Sequence, residues 1–287
     1  MPRRQVGGIV DIVDEETDSP EDPRREFAEE CRSARELHDP KALTQQDLAR
    51  LIRTSRSTIS RVETCEGAIP PDLPPLLDEV FGTDGKFRRL HEAAIAASFR
   101  SVYRRRMAME RTAVTIREWS PTLVPGLFQT ADYARHVFQG GYPRANAREI
   151  STSVNDRMAR RALLDADTPP DVRVVLCESV LRRHFCPPEV MRRQLKALLV
   201  AGSRPTVRVQ VLPLDAPAHL FIDGPVSLIT SPQHNVVVCV ENYRTGGILE
   251  DRELVQAALR AYDELTGDAL PPRVSARLIA EQMEKLT

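Results

Sequence analysis

Aromatic residues are scarce in this sequence: they make up 5% of the chain, with a single tryptophan at position 119. That scarcity excludes a surface built to stack single-stranded bases on an aromatic platform. No stretch approaches the roughly 20 consecutive apolar residues of a membrane-spanning helix, so no membrane partner is expected. The opening MPRRQVGGIVDIVDEETDSPEDP holds two arginines but neither a long apolar run nor a small-residue cleavage site, and a secretory signal is not expected. The cysteines are few: Cys31, Cys65, Cys177, Cys186 and Cys239 are odd in number, scattered and without CxxC spacing. They read as reduced thiols of a cytoplasmic protein. With the six histidines equally scattered, no metal site is expected. The phosphate loops GxGxxG and GxxxxGK(S/T) and the zinc motif HExxH are absent, so no cofactor is expected and no catalytic residue is assigned.

An excess of charge of either sign is also missing overall, the net charge being −1, but its distribution is uneven. Residues 1–23 hold two basic and seven acidic side chains, whereas residues 24–111 hold seventeen basic and fourteen acidic ones. A weakly basic region therefore follows an acidic one. The acidic tail, residues 1–22, is either simple disorder or a competitor of nucleic acid for the basic surface behind it. With 287 residues, 41% hydrophobic and 28% charged, the chain is long and apolar enough for two cored domains.

Helical periodicity begins in RREFAEECRSAREL, where Phe27, Cys31, Ala34 and Leu37 form one stripe. After His38-Asp39-Pro40 a second helix starts, with Thr44 as N-cap and Asp47 three residues on, the spacing of a capping box. Leu48, Ala49 and Leu51 supply its inner face. Ser55 caps a third helix that turns Ile59 and Val62 inward. More helical patterns follow a Pro-rich loop, and the segment 98–120 also reads as helix, carrying the basic run Arg104, Arg105 and Arg106. That run either extends a phosphate-binding surface or is a solvated helix face or a set of interdomain ion pairs. Beyond it the pattern is α/β: strands are expected in VRVVLCE, PTVRVQVLP, VSLIT and NVVVCVEN, interleaved with helices such as PEVMRRQLKALLVAG, which has a proline near its start and a glycine at its end.

The segment LTQQDLARLIRTSRSTISRVE, residues 43–63, resembles the lambda-repressor-like (Xre-type) helix-turn-helix family. In that family a threonine or serine followed by glutamine opens the second helix, and a recognition helix ends in glutamate. Residues 112–280 resemble the uncharacterised C-terminal domain (DUF5753-like) that follows such modules in many actinobacterial regulators. The likeness is carried by Trp119, Pro121, VPGLFQTADYA at 124–134, VVLCESVLRR at 174–183, VRVQVLPL at 207–214, DGPVSLI at 223–229 and VVCVEN at 237–242. Two departures stand out. Arg53 occupies the place of the turn glycine, and Thr64-Cys65 replaces the basic–glycine pair after the recognition helix, leaving Gly67 to take the left-handed turn.

The resemblance implies a multidomain fold: a disordered acidic tail (1–22), an all-α lambda-repressor-like DNA-binding domain (23–95), a helical linker (96–111), and an α/β domain with a mixed sheet and flanking helices (112–287). It implies a transcription regulator that binds duplex DNA at a near-palindromic operator as a homodimer, because one recognition helix reads too few bases. Thr44 and Gln45 are then placed to meet phosphate at a helix start. Ser55, Arg56, Ser57, Thr58 and Arg61 lie on or before the early recognition helix, Arg56 suited to bidentate binding of guanine. Glu63 is expected to pair with an arginine of the first helix. The second domain senses a small molecule or docks a small partner protein, and Glu178, His219, Tyr243 and Arg244 are its ligand-binding candidates. The alternative reading is an enzyme, for example a transferase using aminoacyl-tRNA or another activated small molecule, that retains a helix-turn-helix scaffold.

Overall fold

The computed structural model describes residues 22–66, 68–242 and 245–286. The expected tail and the pair Tyr243-Arg244 thus fall outside the described residues, apart from Asp22. The chain divides into two compact units, the first ending at Tyr103 and the second starting at Arg104.

The first unit is helical: α1 (Pro23–Glu36), α2 (Gln45–Leu51), α3 (Arg56–Glu63), α4 (Leu73–Phe81) and the start of α5 (Lys86–Arg111). Local signals set the helix starts. Asp22 caps α1, Thr44 and Asp47 close a capping box on α2, and Ser55 caps α3, as their spacing predicts. Phe27, Cys31, Leu48, Ala49, Ile52, Ile59, Val62, Leu73, Leu77 and Phe87 form one core, with Phe27 edge-on to Phe87 at 5.6 Å. Truncating a core phenylalanine of this kind costs about 3–5 kcal/mol.

Two expected core positions are corrected. Leu37 is 79% exposed because α1 stops at Glu36, and Leu51 is 56% exposed while its neighbour Ile52 is buried. Leu37 lies just past the end of its helix, whereas Leu51 is still helical and faces away from the core that Leu48 and Ile52, four residues apart, fill. The start of α5 is fixed from a distance. Asp78 of α4 accepts from Thr83 Oγ1 (2.6 Å) and from the backbone N–H groups of Phe87 (2.9 Å) and Arg88 (3.2 Å), satisfying donors that a helix start leaves orphaned.

The second unit holds β1 (Thr115–Ser120), α6 (Ala131–Gly141), α7 (Ala147–Ala159), β2 (Asp171–Cys177), α8 (Ser179–Arg182), α9 (Pro188–Gly202), β3 (Val207–Leu212), β4 (Val226–Thr230), β5 (Val236–Asn242), β6 (Thr245–Leu249), α10 (Arg252–Asp268) and α11 (Pro272–Glu284). Its sheet has the order β3-β2-β1-β4-β5-β6. Strand β1 runs parallel to β2, and β2 to β3, while β4 is antiparallel to both β1 and β5. Trp119, Val175, Leu228 and Val238 of the sheet pack against Val255, Ala258, Tyr262 and Leu265 of α10.

Two strands escaped the sequence. The segment read as helix through residue 120 ends its helix at Arg111, and Thr115–Ser120 is an inner strand between β2 and β4. Its β-branched Thr115 and Ile116 suit a strand. Thr245–Leu249, which the sequence pattern did not mark as a strand, forms the sheet-edge strand β6. After Ala159 the chain tightens to a 3₁₀ turn over Arg160–Asp165, which buries Leu164. No helix of the described residues is long and apolar enough to cross a membrane.

Candidate functional site

Helix α3 is the best-defined polar surface of the first unit. Burial of Ile59 and Val62 (0% and 4% exposed) fixes its rotation, and a helix turned that way directs its other faces to solvent. Arg56, Ser57 and Arg61 are exposed, while Thr58 and Ser60 are half-buried. Ser57 and Arg61 are four residues apart and share a stripe, with Arg56 and Ser60 on the stripe beside it. Among the described residues neither Arg56 nor Arg61 has an ion-pair partner.

The turn into α3 is a Schellman motif. Thr54 N–H donates to Ala49 O (2.9 Å) and Arg53 N–H to Arg50 O (3.3 Å), with Arg53 in the left-handed region at φ 56°. The exit from α3 repeats it. Glu66 N–H donates to Arg61 O and Cys65 N–H to Val62 O, and Cys65 has φ 58°. Cys65 itself therefore takes a left-handed position, and Gly67 lies outside the described residues. Arg53 is exposed, as is Arg50, which lies 3.6 Å from Asp47. Both add cationic surface beside Arg56.

The remaining expected contacts are occupied inside the protein. Glu63, 5% exposed, accepts from Arg35 Nε (2.7 Å) and Nη2 (3.0 Å) and from Gln45 Nε2 (3.0 Å). Arg32 Nη2 donates to its backbone carbonyl. This carboxylate ties α1, α2 and α3 together, and its hydrogen bond holds the Arg35 guanidinium above its ordinary pKa. The Gln45 side-chain amide expected at a phosphate is thus turned toward Glu63. Thr44 is committed to Asp47, whose pKa its hydroxyl depresses. Ser55 Oγ accepts from Thr58 N–H (3.0 Å) and lies 2.8 Å from the hydroxyls of both Ser57 and Thr58. The structure brings Arg56, Ser57 and Arg61 onto open surface and assigns Thr44, Gln45 and Ser55 to holding that surface in place.

In the second unit the ligand-binding candidates do not assemble. Glu178 accepts from Arg182 Nε (2.8 Å) and from Leu214 N–H (3.2 Å). The imidazole of His219 meets Trp119 edge-on at 4.7 Å, and its Nδ1 accepts from Phe221 N–H. Burial lowers its pKa, which suits that neutral, accepting role. Trp119 donates from Nε1 to Phe221 O (2.9 Å), so Trp119 and His219 pin the loop between β3 and β4. His184 is exposed and Cys186 buried, and burial raises the Cys186 thiol pKa, so the two offer no activated nucleophile. Two cavities are small: about 180 Å³ between α9, β3 and α11, and about 350 Å³ at Arg135, Tyr142 and Ile150. Among the described residues no cluster has the ligands for a metal ion.

A buried charge network is what the sequence concealed. Arg106, 7% exposed, contacts Glu110, Glu118, Glu241 and Ser227. Arg160 reaches Glu110 at 2.9 Å. Burial disfavours the Arg106 charge, yet the three carboxylates outweigh it and hold the guanidinium pKa high. Burial raises that of Glu118 against the pull of Arg106. Arg105 pairs with Glu250 at 3.1 Å. Of the basic run, only Arg104 is exposed, so ion pairing accounts for the other two. Breaking one side of such a buried pair costs about 3–5 kcal/mol.

The phrase VPGLFQT is built into the same interior. Gln129 donates to Val124 O (2.7 Å) and accepts from Arg157 (2.8 Å), Gln194 bonds Thr130 N–H and Phe128 O, and Tyr133 Oη accepts from Val124 N–H. A Cβ at Gly126 would stand 2.9 Å from Arg160 Nη1 and 3.1 Å from Arg157 Cδ, so glycine lets the loop lie close against both arginines. These residues build the domain core.

A six-stranded mixed sheet with flanking helices and an ionic interior defines the class of the second unit. Residues 103–281 match the family described as Domain of unknown function (DUF5753), and the chain belongs to that family. No curated protein and no solved structure matches the chain.

Proposed function

We propose that this protein is a sequence-specific DNA-binding transcription regulator, with α2 and α3 as a lambda-repressor-like helix-turn-helix and the DUF5753 domain as its regulatory module. The proposal rests on the outward face of α3. Arg56, Ser57 and Arg61 are exposed, the two arginines have no ion-pair partner among the described residues, and caps at both helix starts hold the presenting helices rigid. A recognition helix enters the major groove with its N-terminal residues at the base edges, while the helix before it crosses the backbone. Arg56 at the first helical position is the residue suited to guanine O6 and N7. Arg53 and Arg61 serve phosphates, which fix register without reading sequence. Gln45 acts one step back, through its bond to Glu63.

Two such chains bind as a homodimer, one per half-site of a near-palindrome. The regulatory domain docks a protein rather than enclosing a small molecule. The cavities beside α9 and beside Arg135 sit at or below the lower end of the volumes that hold drug-sized ligands, whereas Leu214, Leu220 and Ile222 are 59%, 64% and 62% exposed on one loop. Fluorescence anisotropy on duplex DNA tests the recognition-helix assignment. Arg56→Ala is expected to lose about 1–3 kcal/mol at its preferred base pair with little change on random duplex, and Arg61→Ala to lose affinity on both. Equal losses on both duplexes for Arg56→Ala reject its role.

A further inference from the structure

Helices α6 and α7 of the DUF5753 domain are joined by residues 142–146 and pack around Ala134, Ile150 and Val154. At the joined end lies the cavity of about 350 Å³, lined by Arg135 and Gln139 of α6, Tyr142 and Ala145 of the turn, and Ile150 of α7. Ile150 is buried and Tyr142 is 57% exposed, so the cavity has an apolar floor and an aromatic rim. Arg135 adds a guanidinium and Gln139 an amide.

The charge around this cavity is one-sided. Arg135 is half-buried, Arg144 and Arg148 are exposed, and none of the three has an ion-pair partner among the described residues. Two acids lie close to the turn in sequence. Asp132 is paired with Arg193 at 2.8 Å. The carboxylate of Glu149 accepts from the backbone N–H of Asn146 at 2.8 Å, closing the capping box of α7. Three arginines therefore stand against one carboxylate that has no counter-ion. A half-buried arginine without a partner has lost part of its hydration uncompensated, and an incoming carboxylate restores it with charge-assisted hydrogen bonds.

We propose that the turn between α6 and α7 is a docking site for an acidic peptide segment of a partner protein, which seats one apolar side chain in the cavity and sets carboxylates against Arg135, Arg144 and Arg148. This rests on the reading of the domain as a protein-docking module and names the chemistry of the partner. An apolar cavity of about 150 Å³ already holds a benzene-sized group, so this one takes a leucine or phenylalanine side chain. An anchor in a pocket carries the binding energy of such a contact, and the charges at its rim steer the approach. A nucleic-acid backbone would engage the same arginines but leave the apolar floor uncovered.

A library of random dodecapeptides, selected on the full chain, tests this. The enriched peptides are labelled and titrated onto the full chain, onto Arg135→Ala, onto Tyr142→Ala, and onto the double variant Leu220→Asp, Ile222→Asp. The Arg135 and Tyr142 side chains hydrogen-bond nothing among the described residues, so neither change removes a polar contact that holds the fold. The enriched peptides are expected to combine acidic residues with one large apolar residue. Arg135→Ala is expected to weaken them about ten-fold, the scale of one charge-assisted hydrogen bond. Tyr142→Ala weakens them too, and the loop variant binds as the full chain does. Acidic peptides that bind Arg135→Ala as tightly as the full chain overturn the proposal. Failure of the underlying reading looks different: no peptide is enriched on the full chain, which overturns both. Peptides lost only with Leu220→Asp, Ile222→Asp leave protein docking standing and remove this site. Duplex DNA that displaces the peptides from the Arg56→Ala, Arg61→Ala chain assigns these arginines to nucleic acid and also overturns the proposal.

Discussion

Arg53 and Cys65 sit at equivalent places, each one residue beyond the C-cap of a short helix and each with a positive φ of 56° or 58°. A side chain there clashes with its own backbone, at a cost of roughly 1–2 kcal/mol that glycine avoids. Glycine gives back about half of that through the greater freedom of the unfolded chain. Arg53→Gly and Cys65→Gly are each expected to stabilise the protein by about 0.5–1 kcal/mol, read as a higher urea midpoint at unchanged slope. A lower midpoint for either contradicts the backbone assignment. The two variants are expected to separate on DNA: Cys65→Gly leaves binding as it was, and Arg53→Gly weakens it uniformly, as the proposed phosphate contact of Arg53 requires. The Cys65 thiol, partly buried and raised in pKa by that burial, brings no reactivity of its own.

At the scale of elements, α5 is anchored by a carboxylate from another helix. Burial works to raise the Asp78 pKa, but hydrogen bonds from Thr83, Phe87 and Arg88 prevail and hold it below the ordinary value. A depressed folded pKa contributes stability that is present above the unfolded value, about 3.9, and lost as pH falls through the folded one. Asp78→Asn is therefore expected to cost about 1–2 kcal/mol at pH 7, the scale of a lost cap, and progressively less below pH 4. Denaturant titrations at pH 7 and pH 3 check this, and a cost that is the same at both contradicts it. This contact also marks where sequence reading stops. The caps of α2 and α3 were legible because Thr44 and Asp47, or Ser55 and Thr58, are three residues apart, within the reach of local geometry. Asp78 and Phe87 are nine apart across a turn, and no periodicity joins them. Strand β1 was hidden for the same reason: its place between β2 and β4 depends on partners such as Val172 and Ile229, and its own six residues continue a helical segment. Arg106 read as one of three surface arginines, since its partners Glu118, Ser227 and Glu241 lie on three different strands. On α3, burial of Ile59 and pairing of Glu63 with α1 follow the sequence expectation. Gln45 does not, because its partner Glu63 is eighteen residues away.

At the scale of the whole molecule, the chain joins a helical unit with an exposed cationic helix face to a DUF5753 domain that buries Arg106, Glu110 and Glu118 in one network. The Arg106 network ties α5 to β1, β4 and β5, and under the proposed function it is the outer loops that would meet a partner. Proposed DNA recognition is tested by repeated selection from a randomised duplex pool by the full chain, sequenced and compared with selection by the Arg56→Ala, Arg61→Ala variant. Enrichment of a short inverted repeat is expected, its half-sites about one helical turn apart as two-fold related recognition helices require, with loss of that enrichment in the variant. A pool that stays random with the full chain, or the same motif enriched equally by the variant, would contradict it.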